Sequence, residues 1–499
     1  MELLKRILPL VLIIGFSWFT HVFTMMHQRP QSVHMWAMCD RGSVARNYAQ
    51  DSMDFFHPRV HETKEGEGIS GMEFPIMNYL AAICYRLFGF NEFWYRFLMF
   101  IVHVSGVLAA YAITGFFLKN IANRLLTVAF YISSPVMTYY AANFIPDTAA
   151  LGFAMLSWYF FFRWRKDGTP VALAGLFLFA VLAALIKITT LIGVLILAGL
   201  VVFSYLFRSN KLALEKVNRP LLLILLFIVI GAGYAWIQYA KYLNETYGLS
   251  VFLMRSMTPE NMEAVRNTFK HINEIWVAFY FSKPVYFILL AALITVIAFH
   301  RRISQFLLLV TTGYFFGVCG FAYLMLLQFN DHDYYLITLF PLVFFLMLSA
   351  FEVFEKMKMP AKVSLLLQSG LAVIVLLGLQ HNRKHQEFRM DEHCWLFDWA
   401  RYKDYQEVEP YIHSLGIDHS ERVIAICDYS PNIALYFLNL KGWSVADVAD
   451  DEPIINALQY KPKYVILNDT AQLSRPVFKE HPLQQVGEFK SIRIYRIGY

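Results

Sequence analysis

CDRGSVARNYAQDSMDFFHPRVHETKEGEGISGMEFP, residues 39–75, is the stretch on which the reading of this chain turns. It follows an apolar run that ends near Met25, and it carries Arg41, Arg46, Asp51, Asp54, His57, Arg59, His61, Glu62, Lys64, Glu65 and Glu67. No bilayer interior would hold such a segment. The chain around it is apolar: of 499 residues, 58% are hydrophobic, 17% aromatic and 16% charged. Soluble domains average about 25% charged residues. With a mean hydropathy of +0.45, the chain reads as a polytopic membrane protein, and a long charged loop after its first span implies chemistry at the membrane surface.

About 20 apolar residues cross a bilayer core, and about eleven segments qualify: 7–25, 93–117, 124–142, 147–163, 170–187, 189–207, 220–240, 284–299, 303–327, 335–355 and 362–380. The first continues to Met25 without a small-residue cleavage site, so it reads as a retained signal anchor. Cytoplasmic connections are enriched in Lys and Arg. With a cytoplasmic N-terminus, the inner connections hold Lys5/Arg6, Lys119/Arg124, Arg163/Arg165/Lys166, Arg208/Lys211/Lys216/Arg219, Arg301/Arg302 and Lys356/Lys358/Lys362. The C-terminus then lies outside.

Four pieces face the outer side: loop 26–92, the turn Ala142–Asp147, segment 243–283 and the segment from Phe329 to Tyr335. Within the first, 75–90 reads as an interfacial helix. Within the third, a helix is expected from Pro259 to Phe281, capped by Thr258. After residue 381 the pattern changes to short strands and helices. Strands are expected at 422–427 and 463–468, helices at 431–440 and 453–460, and a hairpin at 488–497, which suggests a small α/β domain with a partly parallel sheet. The fold class is therefore an α-helical polytopic membrane protein with a small C-terminal α/β extracytoplasmic domain. Residues 1–380 form the first domain, including loops 26–92 and 243–283, and 381–499 the second. Cys39, Cys84, Cys319, Cys394 and Cys427 have neither metal spacing nor a disulfide framework; Cys394 and Cys427 could pair in an oxidising compartment.

Ionisable groups near helix ends in a membrane protein are costly unless used or paired. On the outer face these are Asp40, Glu73, Asp147, Lys187, Arg255, His271, His332 and Asp333. Asp40 suits a general base, and equally the N-cap of a helix Ser43–Phe55. Glu73, before Phe74-Pro75, also suits a helix start, and Asp147 after Pro146 a cap. Lys187 closes a nearly pure apolar helix, where an ammonium suits a phosphate or simply snorkels to the interface. His332 would bind a metal, accept a proton or decorate a loop. No glycine-rich phosphate loop, HExxH, GxSxG or CxxC motif stands in a convincing place, and no basic stripe with interleaved aromatics points to nucleic acid.

In order and sidedness these phrases resemble the GT-C superfamily of polyprenyl-phosphate-sugar-dependent glycosyltransferases, in the branch of protein O-mannosyltransferases and bacterial aminoarabinose transferases of lipid A. The resemblance rests on Asp40 after the first span, Glu73-Phe-Pro-Ile-Met-Asn-Tyr79, Leu87-Phe-Gly89, Pro146-Asp147, Lys187, and His332-Asp-Tyr-Tyr335 ahead of Pro341. It covers about the first 380 residues. Two departures stand out: relatives often have Lys-Gly where this chain has Lys187-Ile188, and many carry Asp-Glu where this chain has Asp40-Arg41.

The resemblance implies an inverting displacement at the outer face, in which an acceptor hydroxyl attacks the anomeric carbon of a sugar on polyprenyl phosphate. Asp40 would orient or deprotonate the hydroxyl, with Glu73 and Asp147 as further catalytic candidates. Lys187 and Arg255 would hold the departing phosphate. Arg41, His332, Asp333, Tyr334 and Tyr335 would contact substrate. Trp94, Tyr95, Tyr139, Tyr140 and Tyr334 would line grooves or form an interface belt. The resemblance fixes no cofactor; a divalent metal stays open, with Glu73, His271 and His332 as candidate ligands. The implied partners are the lipid-linked donor, a lipid, glycan or protein acceptor, and membrane lipids, with no nucleic acid and a monomeric chain in a bacterial inner membrane. The rival reading is a polyprenyl-linked sugar or lipid transporter, or flippase, although such proteins show internal repeats and charges at mid-bilayer, and no repeat is found here. A non-catalytic scaffold and an asparagine-directed oligosaccharyltransferase are further alternatives.

Overall fold

A computed structural model describes residues 2–64, 66–207, 218–252, 256–426, 428–446 and 450–499. By contacts the chain divides into two compact units. The membrane unit comprises Met1–Met26, Arg96–Trp236 and Arg255–Glu387; the sheet unit comprises His27–Tyr95, Ile237–Met254 and Phe388–Tyr499. The expected boundary near 380 therefore marks one of several crossings. The long loop folds with the C-terminal residues because both contribute to one apolar core, described below.

In the membrane unit, every expected apolar segment is helical over all or most of its length. By length and apolarity, six helices among the described residues suffice to cross a membrane, or up to seven if the pair Met262–Tyr280 and Lys283–Ala298, bent by 97°, counts as one. Ile7–Phe19, Ile121–Ile132 and Pro170–Ile186 are shorter apolar helices. Two of these have local breaks. Ser133-Ser134-Pro135 interrupts segment 124–142 and starts a new helix, Pro135–Ala141, with proline in its first turn. At Lys187 the backbone becomes extended (φ −145°, ψ 108°), then turns through Ile188–Thr190 into Leu191–Leu206.

Asp147–Asp167 and Pro170–Ile186 form a tight helical hairpin. Gly168 ends the first helix in the left-handed region (φ 69°), its N–H bonded to Trp164 O at 2.8 Å, and Pro170 opens the second. The expected helix from Pro259 starts at Met262 instead, where Asn261, not Thr258, caps Ala264 N. A π-helical stretch, Ile272–Trp276, interrupts it before Val277–Tyr280.

The sheet unit is built on five strands: β1 Arg422–Ile426, β2 Lys441–Val445, β3 Tyr464–Leu467, β4 Leu483–Phe489 and β5 Ile492–Ile497. Their order is β2-β1-β3-β5-β4, with β1 parallel to β2 and β3, and β5 antiparallel to β3 and β4. Alternate side chains of a strand face opposite ways, and β1 divides accordingly. Val423 and Ala425 join a core containing helix Ile433–Leu438 together with Met35 and Cys39, while Ile424 and Ile426 join one containing Ile454, Ala457 and Leu458. Helix Met35–Gln50 is thus anchored by the apolar face of the sheet.

That helix corrects the expected Ser43–Phe55. It begins eight residues earlier, after His34 in the left-handed region (φ 62°), so Asp40 lies inside it and caps nothing. The interfacial helix expected at 75–90 is Ile76–Phe88. β2 is a strand that the pattern did not announce, since Lys441-Gly-Trp-Ser-Val has little β-branched character. Loop residues 61–63 close its outer edge, with Gly442 N donating to His61 O (3.1 Å) and Thr63 N to Gly442 O (2.9 Å). Gly442 is obligatory: its φ is +143°, and a Cβ would come within 1.9 Å of Val423 O.

Candidate active site

In the membrane unit, four chain segments bring together Tyr140, Asp147, Lys187 and the run from His332 to Tyr335. Thr148 Oγ1 donates to Tyr140 O at 2.6 Å, which fixes the turn from helix Pro135–Ala141 to Asp147, the first residue of the next helix. Asp147 is completely buried, with the Lys187 ammonium 3.0 Å away. Lys187 reaches it because the apolar helix ends there, and its side chain retains 17% exposure. Its Nζ also lies 4.5 Å from the Tyr335 ring centroid and 5.5 Å from that of Tyr334, within cation–π range. Buried Asp333 accepts the Tyr140 hydroxyl at 2.7 Å, and the Tyr140 ring packs edge-on to Tyr334.

His332 packs against Tyr334 and Tyr335. Burial lowers its pKa to about 4, so the ring is neutral at physiological pH. A cation beside a buried carboxylate, with aromatic faces and a neutral imidazole around it, suits the headgroup of a lipid-linked sugar. His271 packs on Trp276, with ring centroids 6.3 Å apart. Arg255 lies outside the described residues.

In the sheet unit, Asp40 is 1% exposed and accepts Asn432 Nδ2 at 2.9 Å. Burial pushes its carboxyl up to about 7, against the opposing pull of the Asn432 bond and the Arg41 charge. Arg41 donates from Nε to Glu73 Oε1 at 2.6 Å and from Nη1 to Ala37 O at 3.0 Å, and Asn78 Nδ2 donates to Arg41 O at 2.8 Å. Glu73 therefore does not start the helix, which opens at Ile76 after Pro75; it neutralises Arg41. Among the described residues no group of three or more His, Cys, Asp and Glu side chains is placed to hold a metal ion. Of the aromatics, Tyr95, Tyr139 and Tyr140 are buried and Trp94 packs on Phe88.

Sequence reasoning missed Asn432, Glu62 and Asp428. Asn432 donates to Asp40 and accepts the backbone N–H of Glu62 at 2.8 Å. Asp428 caps helix Ile433–Leu438 through Ala434 N (2.7 Å) and takes the Tyr402 hydroxyl at 3.1 Å. Asp428 and Asn432 follow the carboxyl end of a strand in a parallel arrangement, which is where polar sites form in such sheets; that position was the available signal.

Residues 73–236 match the protein-family model described as dolichyl-phosphate-mannose-protein mannosyltransferase. Comparison with the curated proteins returns no match. Among solved structures, the chain is similar to ArnT from Cupriavidus metallidurans in the apo state, with TM-score 0.59, 12% identity and coverage of 98% of this chain and 97% of that one. It is similar to the same protein bound to undecaprenyl phosphate, with TM-score 0.59, 11% identity and the same coverage. The Archaeoglobus fulgidus oligosaccharyltransferase in the apo form gives TM-score 0.53 at 11% identity, covering 92% of this chain and 69% of that one. At these identities the structural likeness establishes the fold. The family match is confined to residues 73–236, about a third of the chain. The likeness in fold to ArnT, by contrast, runs through almost the whole chain.

Proposed function

We propose that the chain moves a sugar from polyprenyl phosphate to a hydroxyl of a lipid, glycan or protein acceptor, with inversion at the anomeric carbon. The acceptor oxygen forms the new bond to that carbon as the carbon–phosphate-oxygen bond breaks. The hydroxyl proton passes to Asp40, and the electron pair leaves with the polyprenyl phosphate. Lys187 meets the charge that grows on the leaving phosphate, where a fixed cation in a water-poor site is worth most. Asp147 holds that ammonium in place; Asp333, Tyr334, Tyr335 and neutral His332 contact donor, and Arg41, held by Glu73, orients acceptor. The bound undecaprenyl phosphate of the Cupriavidus metallidurans relative supports the carrier assignment.

The observation that carries this reading is Lys187, seated 3.0 Å from a wholly buried carboxylate and over the Tyr335 ring. Asp40, with its carboxyl near 7, has the proton affinity of a base working at neutral pH. The Lys and Arg connections support a cytoplasmic N-terminus, with the sheet unit outside a bacterial inner membrane. The test uses the full chain in sealed proteoliposomes, scoring transfer, binding of undecaprenyl phosphate and passage of donor across the bilayer separately. Asp40→Asn should lose transfer and keep binding, whereas Lys187→Ala should weaken binding. Full turnover by Asp40→Asn would overturn the assignment, and donor crossing the bilayer without product would favour a carrier.

A further inference from the structure

The connections of the sheet unit leave a crevice that the transfer reaction above does not use. From β1 the chain passes to β2 through helix Ile433–Leu438 on one face, then to β3 through Glu452–Leu458 on the other. Helices on opposite faces of neighbouring parallel strands leave open space beyond the strands' carboxyl ends, where ligands bind in α/β sheets. A cavity of about 520 Å³ lies there, inside the ~300–1,000 Å³ range of small-molecule sites. Asp428 and Ser430 border it from the end of β1, Trp443 and Ser444 from β2, Asn456 from the following helix and Glu62 from the loop that closes the β2 edge. Leu249 and Val251 add an apolar wall.

We propose that this cavity is a saccharide-binding site that takes a neutral, polyhydroxylated ring. Hydroxyl-bearing ligands need acceptors and donors together with a flat apolar surface for their C–H face, and the carboxyls, Ser430, Ser444, Asn456 and the Trp443 wall supply all three. The polar groups are already desolvated and set: Glu62 is 4% and Asp428 3% exposed, and Glu62 Oε2 accepts Ser444 N at 2.7 Å. Lys64 is the cation in the lining, set against Asp428 and Glu452, so phosphorylated or acidic sugars are disfavoured. Burial raises Glu62 to about 8 and also raises Asp428. Glu62 therefore carries its proton at neutral pH, which removes much of the pull on a cationic sugar and adds a donor. The site does not depend on the catalytic roles of Asp40 and Lys187.

Saturation-transfer NMR on the full chain in nanodiscs, with methyl glucoside, methyl glucuronide and methyl glucosaminide as probes, tests this. The neutral glycoside should bind at least tenfold more tightly than either charged one. Asn456→Trp, at an exposed rim position, should abolish binding while leaving the circular dichroism spectrum unchanged, and Glu62→Gln should keep it within a few-fold. Lys187→Ala should bind the glucoside as well as the parent chain. No binding by the parent, preference for a charged probe, indifference to Asn456→Trp, or loss in Lys187→Ala would each overturn the proposal; the last would mean that the sugar sits at the donor site instead.

Discussion

Asn432 holds Asp40: its side-chain N–H meets the carboxylate at 2.9 Å across 392 residues of sequence. A donor to the ionised form lowers a carboxyl's pKa, so Asn432→Ala should raise Asp40 further above its present value of about 7. The acid limb of the transfer rate would move to higher pH, with donor binding unchanged. A full pH–rate profile of the two chains checks it; coincident profiles would remove Asn432 from the positioning of Asp40.

Asp40→Asn should cost on the order of 10²–10⁴ in transfer rate at pH 8. In the parent chain the rate should climb with pH through about 7 and then level off. Stability runs the other way. The folded carboxyl is raised from 3.8 to about 7, so the folded state binds more protons than the unfolded state between those values. The parent should therefore lose stability relative to Asp40→Asn as pH rises from about 4 to about 7, with little further change above. Thermal unfolding in detergent at pH 5 and pH 8 measures that difference.

Lys187→Ala leaves the buried Asp147 carboxylate without its ammonium. Removing one partner of a buried ion pair costs about 3–5 kcal/mol, an upper figure here because the lysine is partly exposed. Asp147→Asn in the same chain should restore much of the unfolding temperature but not the binding of undecaprenyl phosphate. If the double variant also regained binding, the lysine would serve only to hold Asp147.

Tyr140→Phe removes the hydroxyl bonded to buried Asp333. Losing such a bond costs about 0.5–1.5 kcal/mol, and the adjacent Tyr334 should lose part of its fixed orientation. The expected result is a lowered unfolding temperature and a raised KM for donor, with a smaller effect on kcat.

Much of the membrane unit was legible because lipid imposes a simple pattern: long apolar runs became helices, and the lysine that ended one run marked a real break at Lys187. The pairing of Lys187 with Asp147 was beyond reach, since it depends on how a helical hairpin closes. Asp40 was singled out, but its setting was misjudged. Helix Met35–Gln50 starts after a left-handed histidine without a side-chain cap, so no start signal stood in the sequence. Its partner Asn432 lies in a loop after β1, and β2 beside it carries few strand-forming residues. Tertiary packing, not local preference, formed those elements.

Gly442→Ala should break the outer edge of the sheet. It places a Cβ within 1.9 Å of Val423 O at a φ of +143°, and strain of this kind alone costs about 1–3 kcal/mol. Limited proteolysis should then release fragments after residue 388 while the membrane unit stays intact; a resistance equal to that of the parent would contradict the register of β1 and β2.

The core that seats helix Met35–Gln50 includes Ile492 and Ile494, hundreds of residues further along the chain. During biogenesis that helix must therefore wait, unfolded or escorted, until β5 has been translated. A chain ending before β5 would lack the partner that joins β3 to β4 and part of the core under that helix, so such truncated products should not acquire partial activity.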